Sequence, residues 1–111
     1  MSQSPRLDLL QGTLDLLVLR TLRAQPMHGW AISERIQQLS EDTLQVNQGS
    51  LYPALHRMEH QGWIKAEWGL SEEGRRARFY RLSASGRKQL DLETENWVRR
   101  VAATARILEM A

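Results

Sequence analysis

Hydrophobic residues recur at helical spacing through the first third of the chain. In residues 7–23 they occupy positions 7, 10, 14, 17, 18 and 22, which predicts a helix that Pro26 ends. A shorter helix is predicted over residues 29–39. Its buried face is expected to contain Ile32, Ile36 and Leu39. Residues 1–6 are expected to form a loose tail.

A third helix follows a polar connection at residues 40–47, and its start depends on Pro53. A proline inside a helix removes a backbone hydrogen bond. We therefore expect Ser50 to be the N-cap, which places Pro53 in the first turn, where no intrahelical donor is needed. If Asn47 is the cap instead, the helix must be kinked at Pro53. Gly62 is expected to end the helix. Its inner face is expected to comprise Leu51, Leu55 and Met58.

Two alternating segments after this helix predict a β-hairpin. In residues 63–68 the apolar positions 64, 66 and 68 alternate with charged ones. In residues 78–82 the side chains of Tyr80 and Leu82 are expected to point inward. The loop between the two strands has a glycine near each end, so we expect a long hairpin tip.

One long helix is expected to close the chain over residues 84–108. It would be capped by Ser83 or Ser85 and be about 37 Å long. The predicted order is α-α-α-β-β-α, a mainly α fold with a β-hairpin wing. Three helices followed by a hairpin form a winged helix-turn-helix. We therefore divide the chain into a winged helix-turn-helix domain at residues 1–83 and a C-terminal dimerisation helix at residues 84–111.

Composition narrows the class of protein. The chain has 111 residues, of which 41% are hydrophobic, and this suits a single domain with one modest core. It contains no cysteine, so disulfides and thiolate metal sites are excluded. The chain does not begin with a leader-like segment, and no apolar run is long enough to span a bilayer. We therefore expect a soluble cytoplasmic protein that does not bind membranes.

The net charge is only +2, yet the basic residues are unevenly distributed. Residues 75–88 contain six basic residues and no acidic one: Arg75, Arg76, Arg78, Arg81, Arg87 and Lys88. A charge run of this kind is ordinarily a solvated face. Because this one includes a predicted strand, we favour a surface that faces phosphate groups.

Three segments resemble the PadR family of bacterial transcription regulators. MHGWAISERI at residues 27–36 is similar to the second helix of the family. GSLYPALHRMEHQGWIKAEW at residues 49–68 is similar to its recognition helix and first wing strand. RRARFYRLSASGRKQL at residues 75–90 is similar to its second wing strand and the turn into the last helix. The match covers nearly the whole chain, although Trp30 stands where the family more often has Tyr.

The resemblance implies a homodimeric repressor, not an enzyme. Such a protein binds a palindromic operator in double-stranded DNA through two winged helices and needs no cofactor. The single C-terminal helix is similar to that of the small members of the family. In some relatives a small hydrophobic compound releases the DNA. A small hydrophobic or aromatic effector is therefore a candidate partner for this chain.

The third helix would present the face opposite its buried side to DNA. The residues expected there are Gln48, Ser50, Tyr52, His56 and Arg57. Ser50 and the free amides at the helix N-terminus can hold a phosphate, while Gln48 and Arg57 suit base edges or phosphates. Tyr52 either contacts a phosphate through its hydroxyl or packs against the second helix.

The hairpin is expected to supply affinity, whereas the helix selects sequence. Arg75, Arg76 and Arg78 would neutralise phosphates or enter a minor groove. Lys65, on the outer face of the wing, is a weaker candidate for the same role.

The last helix has apolar tracks that suggest a partner helix. Two series have a spacing of seven, Leu90, Trp97 and Thr104 in one and Thr94, Val101 and Leu108 in the other. In a two-fold dimer the partner is the same helix of the second chain, either alone or together with the first helix. Trp97 either packs the dimer core or, as in small relatives of the family, lines a central pocket for a flat aromatic compound. Val101 would line the same pocket.

Other functions have less support from the sequence. One alternative is a winged helix that binds only other proteins. The run of six basic residues argues against it, because such a run adds little to protein–protein binding. An enzyme is the weakest alternative, because no nucleophile–base pair, glycine-rich phosphate loop or acidic dyad is present at useful spacing. His56 and His60 have a spacing compatible with metal binding, but no third ligand is evident, so an exposed pair is the better interpretation.

Overall fold

Four helices and a β-hairpin make up residues 5–110, the part of the chain that this computed structural model describes. The predicted order is confirmed, with three two-residue strands added. Residues 1–4 of the predicted tail lie outside the described range. In chain order the elements are β1 (Leu7–Asp8), α1 (Gln11–Ala24), β2 (Met27–His28), α2 (Gly29–Leu39), β3 (Leu44–Gln45), α3 (Gln48–His60), β4 (Ile64–Leu70), β5 (Arg76–Leu82) and α4 (Ala84–Leu108).

Strand β5 is the centre of a three-stranded antiparallel sheet. It pairs with β4 from Ile64↔Leu82 to Leu70↔Arg76, and with β2 through Met27↔Tyr80 and His28↔Phe79. Both hairpin strands are longer than predicted, so the expected long tip was wrong and the tip is confined to residues 71–75. The pairing with β2 fixes the start of α2 beside the base of the hairpin.

One hydrophobic core joins the helices to the base of the hairpin. The predicted inner face of α3 is confirmed, since Leu51, Leu55 and Met58 are all fully buried. Tyr80 and Leu82 also point inward, as predicted. Leu39 does not, because it is the last residue of α2 and lies beyond the core with 63% of its surface exposed. The other core residues are Leu14, Val18, Leu19, Leu22, Met27, Ile32, Ile36, Val46, Ala54, Ile64 and Leu90.

Helix α1 begins at Gln11, later than predicted. The helical spacing before that residue was misleading, because Leu7 and Asp8 form β1 and pair in parallel with Leu44 and Gln45. The Leu7 amide donates to the Thr43 carbonyl over 2.8 Å. The predicted polar connection after α2 therefore contains a strand. The backbone N–H and C=O groups of this segment form hydrogen bonds with a strand far away in the sequence, which a local hydrophobic pattern does not reveal.

Helix α3 is capped by Asn47, so the expectation of a cap at Ser50 was wrong. The Asn47 Oδ1 accepts a hydrogen bond from the Gly49 amide over 2.7 Å. Pro53 lies inside the helix and lacks the amide that would bond to the Gly49 carbonyl. The side-chain cap and the burial of Leu51 outweigh that single lost hydrogen bond.

The connection from α3 to the wing is fixed at both ends. Gly62 ends the helix as predicted, with a φ of 80°, and its amide donates to the Glu59 carbonyl over 3.0 Å. Ser83 caps α4, accepting from the Gly86 amide over 3.0 Å and donating to the Gly62 carbonyl over 2.6 Å. A Cβ placed on Gly86 would lie 2.0 Å from the Trp63 carbonyl oxygen, so the start of α4 packs directly on this turn.

Candidate nucleic-acid interface

The side chains expected to face DNA from α3 are not equally free. Ser50 and His56 are exposed. Gln48 is half-buried, and its Nε2 donates to the Oγ of Ser33 over 3.0 Å. Ser33 is buried and donates in turn to the Trp30 carbonyl over 2.9 Å. Gln48 therefore holds the first turn of α3 against α2, which its donor chemistry alone did not indicate.

Arg57 points toward α1 instead of outward. Its Nη2 donates to both carboxylate oxygens of Asp15, at 2.6 Å to Oδ1. Only 32% of the Arg57 side chain and 17% of the Asp15 side chain are exposed. Burial raises the pKa of Asp15 above its usual value, although the hydrogen bond and charge of Arg57 act in the opposite direction. The pair connects α3 to α1 and fixes the direction of the Arg57 side chain.

Tyr52 packs on α2 and also borders solvent. A Cβ placed on Gly29 would lie 2.8 Å from the Tyr52 hydroxyl oxygen and 2.9 Å from the ring, so the tyrosine covers this glycine closely. At the same time 48% of the Tyr52 surface is exposed. The predicted packing against the second helix is present, and the exposed part leaves room for the predicted contact with a phosphate.

The hairpin has two faces, and its basic residues are divided between them. The inner face, defined as the side that continues into the core, includes Trp68, Arg76 and Arg78. The outer face includes Lys65, Glu67 and Arg81, and the Arg81 Nε lies 3.4 Å from the Glu67 Oε1. Arg75 is exposed in the tip, while Arg87 and Lys88 lie on α4. The basic run therefore does not form one continuous surface.

Two arginines on the inner face are held by different neighbours. The Arg78 Nη2 lies 2.9 Å from the Oε2 of Glu59, which belongs to the last turn of α3. The Arg76 guanidinium lies over the Trp68 ring, 4.5 Å from the ring centroid. The ion pair connects the wing to α3, and the stacked pair orders one arginine on the wing itself.

A cleft of about 770 Å³ separates the inner face from the start of α2. Its lining includes Tyr52 and the wing arginines, which the sequence indicated as candidate contacts. It also includes Trp30 and Trp68, neither of which the sequence indicated as a candidate contact. Trp68 could have been identified if the pairing of the two strands had been known, because it lies directly across from Arg78 in the hairpin.

Most of α4 has no partner within the described chain. After Leu90, which is 2% exposed, no residue of this helix is buried. Trp97 and Val101 lie one turn apart on it with 41% and 44% of their surfaces exposed. These two candidate effector contacts therefore lie on an open helix face in the single chain.

The histidine pair lies on the surface of α3. His56 and His60 are both exposed. Within residues 5–110, no three His, Cys, Asp or Glu side chains are grouped so that they could hold a metal ion. In the same range, none of the helices is both long enough and apolar enough to cross a membrane.

Comparison with known proteins relates this fold to a group of regulators. Residues 18–92 match the family described as transcriptional regulator PadR-like. A transcriptional regulator from Clostridium thermocellum superposes with a TM-score of 0.82 and 24% identity, covering 89% of this chain and 96% of that one. A PadR family transcription regulator from Clostridium difficile has a TM-score of 0.73 and 25% identity, covering 86% of this chain and 97% of that one. A transcriptional regulator of Mycobacterium tuberculosis is 41% identical over 49% of this chain and 50% of its own length.

The family match includes every element that surrounds the cleft. It extends from within α1 through α2, α3 and the whole hairpin to the start of α4. The Clostridium thermocellum structure shows the same fold over most of both chains. The family is one of regulators and not of enzymes. The chain therefore belongs to the PadR-like family of transcriptional regulators.

Proposed function

We propose that this chain is a homodimeric repressor that binds a palindromic operator in double-stranded DNA. The observation that supports the proposal most strongly is the position of Arg75 and Arg76. Both are exposed, and both line the cleft whose opposite side includes Tyr52 of α3. A helix that enters the major groove would thus have cationic groups beside it for the flanking phosphates.

In this proposal α3 and the wing have different tasks. Ser50 and His56 are the exposed candidates for contact along α3, together with the half-exposed Tyr52. Arg57 is a less direct candidate than its charge suggests, because the carboxylate of Asp15 already occupies its guanidinium. Arg75 and Arg76 supply affinity through phosphates, which every DNA sequence presents.

The proposed homodimer follows from the exposed apolar face of α4 and from its charge order. Large apolar side chains are exposed along it, including Leu92, Trp97, Val98 and Val101. The acids Asp91, Glu93 and Glu95 precede Trp97 and the bases Arg99, Arg100 and Arg106 follow it, while the first turns of the helix also contain Arg87 and Lys88. Two antiparallel copies would cover each other's apolar side chains and bring opposite charges together. Operator half-sites would then lie about 34 Å apart.

The proposed domain division assigns DNA binding to residues 1–83 and dimerisation to residues 84–111. Leu90 belongs to the core of the first unit, so the first turns of α4 would serve both. In the dimer, Trp97 and Val101 would lie near the centre of the paired helices. There we propose that they line the site of a small hydrophobic or aromatic effector. Because the DNA is its target, we place the protein in the cytoplasm.

An electrophoretic mobility shift at two salt concentrations tests DNA binding. The wild-type chain should retard duplex DNA, with an affinity that falls steeply as salt rises. Arg75→Ala combined with Arg76→Ala should weaken binding to all sequences alike and lower the slope of log affinity against log salt by about 2, roughly one per lost phosphate contact. A changed sequence preference with an unchanged salt dependence would count against this role. No retardation by the wild type at either salt would favour a winged helix that binds only proteins.

A further inference from the structure

The cleft beside the wing has an unusual combination of side chains for a solvated surface. Its two sides expose large indoles, with 57% of Trp30 and 60% of Trp68 accessible to solvent. Its cationic lining residues are Arg75, Arg76 and Arg78. Against these cations the lining includes one carboxylate, that of Glu73. A concave surface with this balance complements an extended anion that also offers apolar surface.

The cleft is continuous with the face of α3. Tyr52, in the second turn of that helix, lines the cleft, and Arg78 connects the cleft to Glu59 in the last turn of α3. A ligand lying along α3 would therefore pass directly into the cleft. The sugar–phosphate backbone offers a phosphate at every unit, which matches the arginines of the cleft, and the apolar edge of deoxyribose, which matches the exposed ring of Trp30.

The stacked pair inside the cleft prepares one arginine for such a ligand. The Arg76 Cζ lies over the Trp68 ring, 4.5 Å from its centroid, which is within the range of a cation–π contact. Stacking uses the face of the guanidinium and leaves the N–H groups at its edge able to donate to a phosphate. Arg78 differs, because its Nη2 is already paired with Glu59. Among residues 5–110, Arg76 makes no ion pair.

We propose that one sugar–phosphate strand of the bound duplex occupies this cleft between Trp30 and Trp68, and that Trp68 is a positioning residue that holds Arg76 toward a phosphate. The inference rests on the proposed DNA binding and adds two residues to it. A free arginine side chain loses rotamer freedom when it binds, and an arginine already stacked on an indole loses less. Trp68 therefore raises affinity without contacting a base.

A double-mutant cycle tests the positioning role. Fluorescence anisotropy with an end-labelled duplex would be measured over a range of salt for the wild type, Trp68→Leu, Arg76→Ala and the double variant. Arg76→Ala should weaken binding about 5- to 10-fold and lower the salt slope by about 0.9. Trp68→Leu should weaken it about 3- to 5-fold. The double variant should bind no more weakly than Arg76→Ala alone, because Trp68 acts through that arginine. Trp68→Phe should retain most of the wild-type affinity.

Arg81→Ala is the matched control for charge. Arg81 lies on the same strand as Arg76 but on the outer face, so its loss should change affinity by less than about 2-fold. Thermal unfolding of each variant would confirm that the fold is retained, which the exposure of Trp68 favours. If Trp68→Leu failed to fold, the comparison of Arg76→Ala with Arg81→Ala would still decide whether the inner face contacts DNA.

Three results would overturn the inference. If the losses from Trp68→Leu and Arg76→Ala multiply in the double variant, Trp68 does not act through Arg76. Equal effects of Arg76→Ala and Arg81→Ala would show that the cleft is not where the backbone lies. If the wild type itself does not bind duplex DNA, the proposed function fails as well, and that outcome differs from the other two because no variant is needed to see it.

Discussion

At the scale of single residues, the arginines of this surface differ in what already holds them. Arg57 is held by Asp15 and Arg78 by Glu59, while Arg76 is stacked on an indole. A carboxylate partner must be displaced or shared before an arginine can bind a phosphate, whereas an indole need not be. Equal numbers of arginines on two surfaces therefore do not imply equal affinity for DNA.

Asp15→Asn tests how Arg57 is restrained. The variant removes a negative charge and loosens Arg57, so it should bind non-specific duplex more tightly and with a steeper salt slope. Its free energy of unfolding at pH 7 should fall by less than about 2 kcal/mol, because covering the carboxylate already opposes the ion pair. Anisotropy titrations and urea denaturation measure the two effects, and a loss above that limit would show that the pair stabilises the fold.

The same variant should reveal the pKa of Asp15 in the pH dependence of stability. Burial raises the pKa of Asp15 in the folded protein above the ordinary value of 3.8. Its protonation therefore stabilises the fold fully below pH 3.8, and this contribution is lost as the pH rises through the pKa of the folded state. Asparagine does not titrate. The stability of Asp15→Asn relative to the wild type should therefore increase from acid toward neutral pH, and a decrease over that interval would mean that the pKa is lowered.

The limits of sequence reasoning are clearest among these residues. Alternation and helical spacing correctly placed Leu51 inside, because burial follows a local period. They could not find the partner of Arg57, which lies 42 positions away, or the partner of Gln48, which lies 15 away. Such contacts depend on how helices cross, and the composition of either helix does not specify that.

At the scale of elements, boundaries were predicted well where a local signal determines them. The bounds of α2 and α4 agree with expectation, and Ser83 caps α4 as one of two predicted residues. The starts of α1 and α3 were wrong, since β1 pairs with a distant strand and Asn47 provides an earlier cap. A strand of two residues is too short to show an alternating hydrophobic pattern, so the sequence does not reveal its pairing with a distant strand.

Gly86→Ala should destabilise the connection between α4 and the wing. The added Cβ would lie 2.0 Å from the Trp63 carbonyl oxygen, and because that atom belongs to the backbone, it cannot turn away. We expect a loss of about 2 to 4 kcal/mol in the free energy of unfolding. Gly12→Ala is the control, because nothing lies within 4 Å of a Cβ there, and helix propensity predicts a change between zero and a gain of about 1 kcal/mol. Equal stabilities for the two variants would contradict the close packing.

At the scale of the whole molecule, α4 extends beyond the hydrophobic core that buries its first turns. Its apolar residues beyond Leu90 remain exposed in the described chain, and a second copy of the chain is the proposed cover. Sequence periodicity predicted the apolar series that is exposed along α4, whereas the domain boundary after Ser83 stays a prediction. It could not determine the register or the crossing angle of the two helices, which depend on surfaces of both chains.

Val101→Asp should convert the protein from dimer to monomer. The substitution places a charge in the proposed apolar seam, where it would be desolvated without a partner. Analytical ultracentrifugation at micromolar concentration measures the change. Ala103→Asp provides the control, because it adds the same charge to α4 away from the seam. A monomeric wild type that still binds a palindromic operator tightly would defeat the dimer proposal.

Trp97→Ala separates effector response from assembly. If Trp97 lines an effector site at the centre of the dimer, the variant should remain dimeric and bind operator, yet no longer release it when a flat aromatic compound is added. Release of operator from the wild type and the variant would be compared in the same mobility shift. A variant that responds as the wild type does would place the effector site elsewhere.

The most direct measurement of the central proposal is in vitro selection of bound duplexes from a random pool, followed by sequencing. A dimer with one recognition helix per chain should enrich inverted half-sites whose centres lie about 34 Å apart, roughly one turn of DNA. The selected duplex should bind two chains, and its affinity should fall steeply with salt. A pool that shows no enriched sequence, or enrichment of a single site without symmetry, would contradict the account.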